Sequence, residues 1–221
     1  RWFEYAKKFK LSCKVIVADG GVDNGVENEL RNNKFHLFVN YDYVRYPYDK
    51  NLKIFYAKLQ DALMKVETQY VLLASNDDFY FFDALESSVH FLNENPEFVT
   101  SRGEIWDFNV ISSPSGFKIS NDKDHVYGDL GSVKRLYFHP TVLGESATSR
   151  VVDNSLKSHS VFHDVIRTEM LKEACGALVK SQINDYRLFE SFISFFIACH
   201  GKIHRGGELY MLHQCHPEMA A

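Results

Sequence analysis

Hydrophobic residues in the first half of the chain alternate between two kinds of spacing. Apolar side chains recur at helical spacing over Arg1–Phe9 and, most clearly, over Leu52–Glu67. Short continuous apolar runs at Cys13–Ala18, Phe35–Asn40 and Tyr70–Ala74 are typical of strands buried in a sheet. This alternation predicts an α/β fold, with a mixed, mostly parallel sheet flanked by helices.

The second half of the chain has a less regular pattern. Strands are predicted at Phe98–Thr100 and Ile105–Ile111, followed by a long polar loop from Ser112 to Asp129. A strong apolar stripe predicts a helix over Asp185–His200. Because no repeat or linker divides the sequence, we expect a single domain over residues 1–221.

The composition narrows the class of protein. The chain has 221 residues, of which 45% are hydrophobic and 24% charged, as in an ordinary globular domain with a sizeable core. Its formal net charge is −4 and no block of basic residues occurs. These features argue against a nucleic-acid partner, because such proteins present clustered Lys and Arg to the phosphates.

The cysteines and the apolar runs of the sequence help to predict the cellular compartment of the protein. None of the cysteines forms a C-x-x-C pair, and we expect all of them to be reduced and mostly buried, as in a cytoplasmic protein. They are Cys13, Cys175, Cys199 and Cys215. No apolar run approaches the roughly 18 residues of a membrane span, and no signal peptide is recognisable. The chain begins at Arg1 rather than Met, so we expect a domain from a larger protein.

Acidic residues follow two of the predicted strands. Asp19 ends the first strand, and Asn76-Asp77-Asp78 follows Tyr70–Ala74. Ligands of open α/β sheets bind at strand ends, and two adjacent carboxylates there repel each other unless a cation is bound. Oxygen ligands in this arrangement suit Mn²⁺ or Mg²⁺. The alternative is that Asn76-Asp77-Asp78 caps the following helix.

These motifs resemble GT-A glycosyltransferases of the family 2 kind. The resemblance rests on Val15-Ile-Val-Ala-Asp19-Gly-Gly, on the run from Tyr70 to Asp78, and on His163-Asp164-Val-Ile-Arg167-Thr-Glu. In more detail, the chain is similar to a bacterial surface-polysaccharide glycosyltransferase domain. Members of that family begin with a strand before the helix seen here at Arg1–Phe9, so we expect the first strand to be missing.

The resemblance implies roles for the acidic residues. Asp19 would contact the base or ribose of a nucleotide-sugar donor, although it could instead only form the turn before Gly-Gly. Asp78 would bind the metal, and Asp77 would face the ribose or the sugar. Residues 1–100 would then form the nucleotide-binding half and residues 101–221 the acceptor-binding half.

An inverting transferase needs a general base near the acceptor hydroxyl. The family carries an acidic residue near the start of a late helix, and Asp185 matches that position, with Glu190 as the alternative. Asp185 could also serve as the N-cap of that helix.

Histidine and arginine residues complete the set of candidates. By analogy with other GT-A enzymes, His213 or His216 would complete the metal shell. His163 and Arg167 would bind phosphate or acceptor because of their place in the family segment, and Arg102 is a weaker phosphate candidate. An ion pair with a neighbouring carboxylate is the structural alternative for Arg167.

The resulting hypothesis is sugar transfer from a nucleotide-sugar donor to a glycan or lipid-linked acceptor, with Mn²⁺ or Mg²⁺ and with inversion at the anomeric carbon. The expected location is cytoplasmic, peripheral to the inner membrane where the acceptor is lipid-linked. A sugar nucleotidyltransferase and a non-catalytic carbohydrate-binding domain of the same fold are the alternatives.

Overall fold

The computed structural model describes residues 2–111, 129–135, 139–156 and 160–215. The helices in these ranges are α1 (Trp2–Lys8), α2 (Gly25–Asn32), α3 (Leu52–Met64), α4 (Phe82–Glu94), α5 (Ala147–Leu156), α6 (Thr168–Ser181) and α7 (Tyr186–His200), with a 3-10 helix at Phe35–Leu37. The strands are β1 (Val15–Asp19), β2 (Tyr41–Arg45), β3 (Tyr70–Val71), β4 (Phe79–Tyr80), β5 (Phe98–Ile111), β6 (Asp129–Arg135), β7 (Val165–Arg167) and β8 (Lys202–Gln214). None of these helices is long and apolar enough to cross a lipid bilayer.

The described strands form two sheets. β1 and β2 pair in parallel, from Val15 opposite Tyr41 to Asp19 opposite Arg45. The larger sheet has the order β3-β7-β5-β8-β4, and β6 also pairs with β5. In the larger sheet only β5 and β8 run parallel, and the other described pairs are antiparallel. The α/β class with a mixed sheet is therefore confirmed, but antiparallel pairs outnumber the parallel ones that the sequence led us to expect.

Both faces of the larger sheet are covered, because successive side chains of a strand point to opposite faces. Val99 and Ile166 belong to a core cluster that includes residues of α3, α6 and α7. Their neighbours Phe98 and Val165 belong to a second cluster, formed with residues of α4, β4 and β8. The sheet is thus sandwiched between helical layers.

Three local expectations need correction. The run Phe35–Asn40 is not a strand: Lys34 takes a left-handed conformation with φ of 51°, and the chain turns so that Phe35 and Val39 are buried. Of the run Tyr70–Ala74 only the first two residues form a strand, which is antiparallel to β7 at the edge of the sheet. The cysteines are free thiols, but only Cys175 is buried. The polar loop predicted after Ile111 lies, for residues 112–128, outside the described residues.

Candidate active site

Asp78 lies at the centre of the candidate site, in the turn that leads into β4. It is 1% exposed. Because β4 and β8 are antiparallel, the start of β4 meets the end of β8, and the Gln214 N–H donates to Asp78 Oδ1 over 3.2 Å. Burial raises the pKa of Asp78, and nearby His213 opposes that shift. A positive charge at this place would therefore stabilise the ionised carboxylate.

Asp77 and Asn76 complete the polar turn. Asp77 is half-buried, and its negative charge contributes to the raised pKa of Asp78. The alternative that this turn caps the next helix is wrong, because the N-cap of α4 is Phe81 and no side chain caps that helix. The three polar residues thus do not cap the start of α4, and the carboxylate of Asp78 accepts a hydrogen bond at the end of β8 instead.

His213 approaches Asp78 from β8. Its Nδ1 lies 3.0 Å from Oδ1 of Asp107, which is its register partner on β5. It also interacts electrostatically with Asp78. The second predicted histidine ligand, His216, lies outside the described residues. His213 therefore contacts Asp107 directly and acts on Asp78 through its charge.

His163 lies beside Asp78, whereas the family resemblance implied phosphate or acceptor binding for it and no catalytic or metal role. Its Nδ1 lies 2.9 Å from the hydroxyl of Tyr80 and 4.0 Å from Oδ2 of Asp78. Burial lowers the pKa of His163 to about 4, and the charge of His213 adds to the shift. The sequence signal for it was the His-Asp pair at the start of the segment that carries the family resemblance.

Asp19 lies on the other, two-stranded sheet and is 8% exposed. Its carboxylate accepts hydrogen bonds from the Tyr43 hydroxyl at 2.7 Å, Arg45 Nη1 at 2.6 Å and the Gly21 N–H at 2.8 Å. Burial alone would raise the pKa of Asp19, but these three hydrogen bonds lower it below its ordinary value. Asp19 thus stabilises the Asp-Gly-Gly turn, which is the structural alternative given in the sequence analysis. Its contact with a nucleotide stays a prediction.

The two arginine candidates are engaged inside the fold. Arg102 is 5% exposed, and its Nε lies 2.9 Å from Oδ1 of Asp164. Arg167 donates to the carbonyl oxygens of Phe98 at 2.9 Å and Leu92 at 2.7 Å. These contacts anchor strands and the end of α4, so the geometry gives both side chains a structural role and does not support phosphate binding.

The candidate bases lie on the first turns of α7. Asp185 is exposed and caps the helix, since its Oδ1 accepts from the Leu188 N–H at 3.3 Å. Glu190 is half-buried and accepts from the Ser160 hydroxyl at 3.1 Å. Phe189 packs on Phe162 with ring centroids 5.4 Å apart, and Phe162 precedes His163. The start of α7 therefore lies beside the segment that carries His163.

The structure thus brings together part of the predicted set. Asp78 lies at the junction of β4 and β8 with the His163 ring beside it, and the charges of Asp77 and His213 act on its carboxylate. Buried groups with shifted pKa values, such as Asp78 and His163, are typical of functional sites.

Comparisons with known proteins bear on the fold. No protein-family model matches the sequence, and no curated protein matches it. A crystal structure of TarS from S. aureus, residues 1–349, is similar with a TM-score of 0.52 at 12% identity, covering 97% of this chain and 57% of that one. A second TarS crystal structure gives a TM-score of 0.55 at 14% identity, covering 99% of this chain and 35% of that one.

This chain therefore spans less than two thirds of either TarS chain. At such low identities the likeness concerns the fold alone. The comparisons show that this protein has a glycosyltransferase-like fold.

Proposed function

We propose that this chain is the GT-A domain of a metal-dependent glycosyltransferase, which moves a sugar from a nucleotide-sugar donor to a glycan or lipid-linked acceptor. We place this reaction in bacterial surface-polysaccharide synthesis, at the cytoplasmic side of the inner membrane. The observation that carries the proposal is the buried carboxylate of Asp78 beside Asp77 and His213 within a glycosyltransferase-like fold.

The residues at the junction of β4 and β8 fit Mn²⁺ or Mg²⁺. An isolated carboxylate that is 1% exposed is costly, and a divalent cation would offset that cost. Asp78 would hold the ion, with His213 and Asp77 able to support it. When bound, the ion would neutralise negative charge on the departing diphosphate. Asp19 would then contact the base or ribose in the nucleotide-binding half of the chain.

The acceptor hydroxyl must lose a proton during transfer. Asp185 is the proposed general base because it is exposed at the start of α7, beside the His163 segment. Glu190 is the competing candidate, but its carboxylate accepts the hydrogen bond from Ser160 and is half-buried. Attack by an acceptor activated on the side opposite the leaving group would invert the anomeric configuration, and we propose inversion.

The first experiment is a thermal-shift screen with UDP, GDP, CMP and dTDP, each with Mn²⁺ and with EDTA. We expect one nucleotide to raise the melting temperature only when the metal is present, because binding to the folded state alone stabilises it. Asp78→Asn should abolish this shift while keeping the hydrogen bond from Gln214.

The matched control is Asp83→Asn, an exposed carboxylate on α4, which should retain the full shift. A metal-dependent shift that survives in Asp78→Asn would overturn the assignment of Asp78. No shift with any nucleotide would contradict the proposed function.

A second prediction separates the two candidate bases. Asparagine caps helices about as well as aspartate, so Asp185→Asn should fold normally and show the wild-type nucleotide shift. It should nevertheless lower release of the nucleoside diphosphate from the cognate donor by roughly a hundredfold or more, because general-base catalysis contributes about that much. Glu190→Gln should have a much smaller effect, and the reverse order would assign the base to Glu190.

A further inference from the structure

A second cluster of metal-binding side chains lies next to the candidate active site. It consists of Asp107, His213 and Cys215, whose ligand atoms all lie within 4.8 Å of one another. His213 Nδ1 is 3.0 Å from Asp107 Oδ1 and 3.9 Å from Cys215 Sγ. Neither Asp107 nor Cys215 has a role in the proposed transfer reaction.

The sheet holds these three side chains in place. Asp107 on β5 is the register partner of His213 on the parallel strand β8. Cys215 follows His213 by two residues, so its side chain is on the same side of the extended chain. The Cys215 N–H donates to the Phe108 carbonyl oxygen at 2.8 Å, which continues the pairing beyond β8. The arrangement is therefore set by the two longest strands of the sheet.

The exposure of the cluster suits a site that an ion can reach. Asp107 is 7% exposed, which fixes one ligand in the fold. His213 and Cys215 are half-buried, so both keep partial contact with solvent. A metal could thus enter without any rearrangement of the strands.

The spacing also matches what a tetrahedral ion requires. With metal–ligand distances of about 2.0 to 2.3 Å, neighbouring ligand atoms are roughly 3.3 to 3.6 Å apart. The two measured separations lie on either side of that range, so side-chain shifts of a few tenths of an ångström would complete the geometry. Three protein ligands leave a fourth position for water or an exogenous ligand.

We propose that Asp107, His213 and Cys215 form a binding site for Zn²⁺. A thiolate and an imidazole favour zinc over Mn²⁺ and Mg²⁺, which prefer oxygen ligands. On binding, Cys215 gives up its thiol proton to solvent and coordinates as the thiolate, while the Nδ1 of His213 coordinates as the neutral imidazole. No change of oxidation state is involved.

The site has a consequence for catalysis that rests on the proposed function. The charge of His213 also acts on Asp78, and there His213 would support the Mn²⁺ or Mg²⁺ of the transferase. A neutral imidazole that binds zinc through Nδ1 carries its proton on the other ring nitrogen and has no lone pair left for a second ion. Zinc at Cys215 therefore withdraws His213 from the catalytic metal. On this proposal, zinc inhibits the metal-dependent reaction of this protein.

The test is titration of the full chain with Co²⁺, a spectroscopic substitute for Zn²⁺, in the absence of any nucleotide. We expect a thiolate-to-cobalt charge-transfer band in the near ultraviolet, which Zn²⁺ then abolishes by displacement. Cys215→Ser should lose the band. Cys199→Ser, which removes an exposed thiol elsewhere, should keep it, and circular dichroism would confirm that both variants are folded.

Two outcomes would overturn the zinc site: no charge-transfer band in the wild type, or a band that persists in Cys215→Ser. Asp107→Asn provides a second variant, and it should weaken Co²⁺ binding by at least tenfold. Because these readouts need no donor or acceptor, the zinc site can stand when the nucleotide screen fails. The inhibition is tested separately by adding Zn²⁺ to the metal-dependent nucleotide screen. If Zn²⁺ reduces the nucleotide-induced rise in melting temperature equally in Cys215→Ser and in the wild type, the inhibition is refuted and the transferase proposal stands.

Discussion

Asp164 shows how a single buried carboxylate organises the centre of the sheet. It has no exposed surface and lies 2.9 Å from Nε of Arg102 and 2.7 Å from Nη1 of Arg205. The Thr100 hydroxyl donates to it at 2.8 Å. Burial lowers the pKa of Arg102 to about 10, and the charge of Arg205 adds to the shift. Asp164 therefore makes the burial of two guanidinium groups possible.

Replacing Asp164 by asparagine should be strongly destabilising. Asparagine keeps the shape but removes the charge, which leaves two buried cations without a counterion. We expect a loss of about 3 to 5 kcal/mol in the free energy of unfolding, measured by urea denaturation. Asp42→Asn removes an exposed partner of Lys14 and should leave the midpoint unchanged. Equal midpoints for Asp164→Asn and the wild type would show that the arginines do not depend on this carboxylate.

The same residue explains why Arg102 was misjudged from the sequence. A basic residue just after a predicted strand, here Phe98–Thr100, is a reasonable phosphate ligand. Residues 98–111 instead form one strand, and Arg102 is buried inside it. Its partner Asp164 is 62 positions away along the chain, and nothing local to either residue encodes that pairing. Asp78 was easier to identify, because its chemistry depends on adjacent residues and on the strand end that precedes them.

His163 makes stability depend on pH. Its pKa is about 4 in the folded protein, mainly because it is buried, against an ordinary value of 6.5. The folded protein therefore keeps it neutral while the unfolded chain takes up a proton, so stability is lost as the pH falls through this window. In His163→Asn this loss of stability should be absent. From about pH 7 to about pH 4, the free energy of unfolding of the wild type should therefore fall relative to that of the variant by as much as about 3 kcal/mol. Parallel urea-denaturation profiles for the two proteins across these pH values would contradict this assignment.

At the scale of elements, periodicity identified helices better than strands. The apolar stripes over Leu52–Glu67 and Asp185–His200 correspond to α3 and α7 with small shifts at their ends. The direction of the strands could not be predicted. An apolar run such as Tyr70–Ala74 has the same sequence pattern inside a parallel sheet as at the antiparallel edge of a mixed sheet. The length of β5 was also missed, since Ser101, Arg102 and Gly103 read as a break.

Those three residues remain in the strand because residues distant in sequence bind or pack against them. Ser101 hydrogen-bonds to His204 at 2.8 Å, and Arg102 meets Asp164. At Gly103, a Cβ would come within 2.3 Å of the Glu208 carbonyl oxygen, so the close approach of β8 requires glycine. Long-range pairing between β5 and β8 thus overrides the local signal, and it also places Asp107 opposite His213.

At the scale of the whole molecule, the two sheets should differ in stability. β5 lies inside the larger sheet, and on its partner β8 the residues Ile203, Tyr210 and Met211 are at most 1% exposed. The apolar residues of β1 are only half-buried. Because local opening is easier where less apolar surface is buried, we predict faster amide hydrogen exchange in β1 and β2 than in β5 and β8. Equal protection in all four strands, measured by mass spectrometry of peptic peptides, would contradict this.

The same measurement connects stability to the proposed function. Asp19 ends β1 and is the proposed contact for the base or ribose of the donor. The nucleotide selected in the Mn²⁺ screen should therefore slow exchange in the peptide that contains residues 15–21, because binding to the closed form suppresses opening. The effect should be lost in Asp78→Asn and kept in Asp83→Asn. Slower exchange confined to the ends of β4 and β8 would mean that the nucleotide binds at the metal without reaching Asp19.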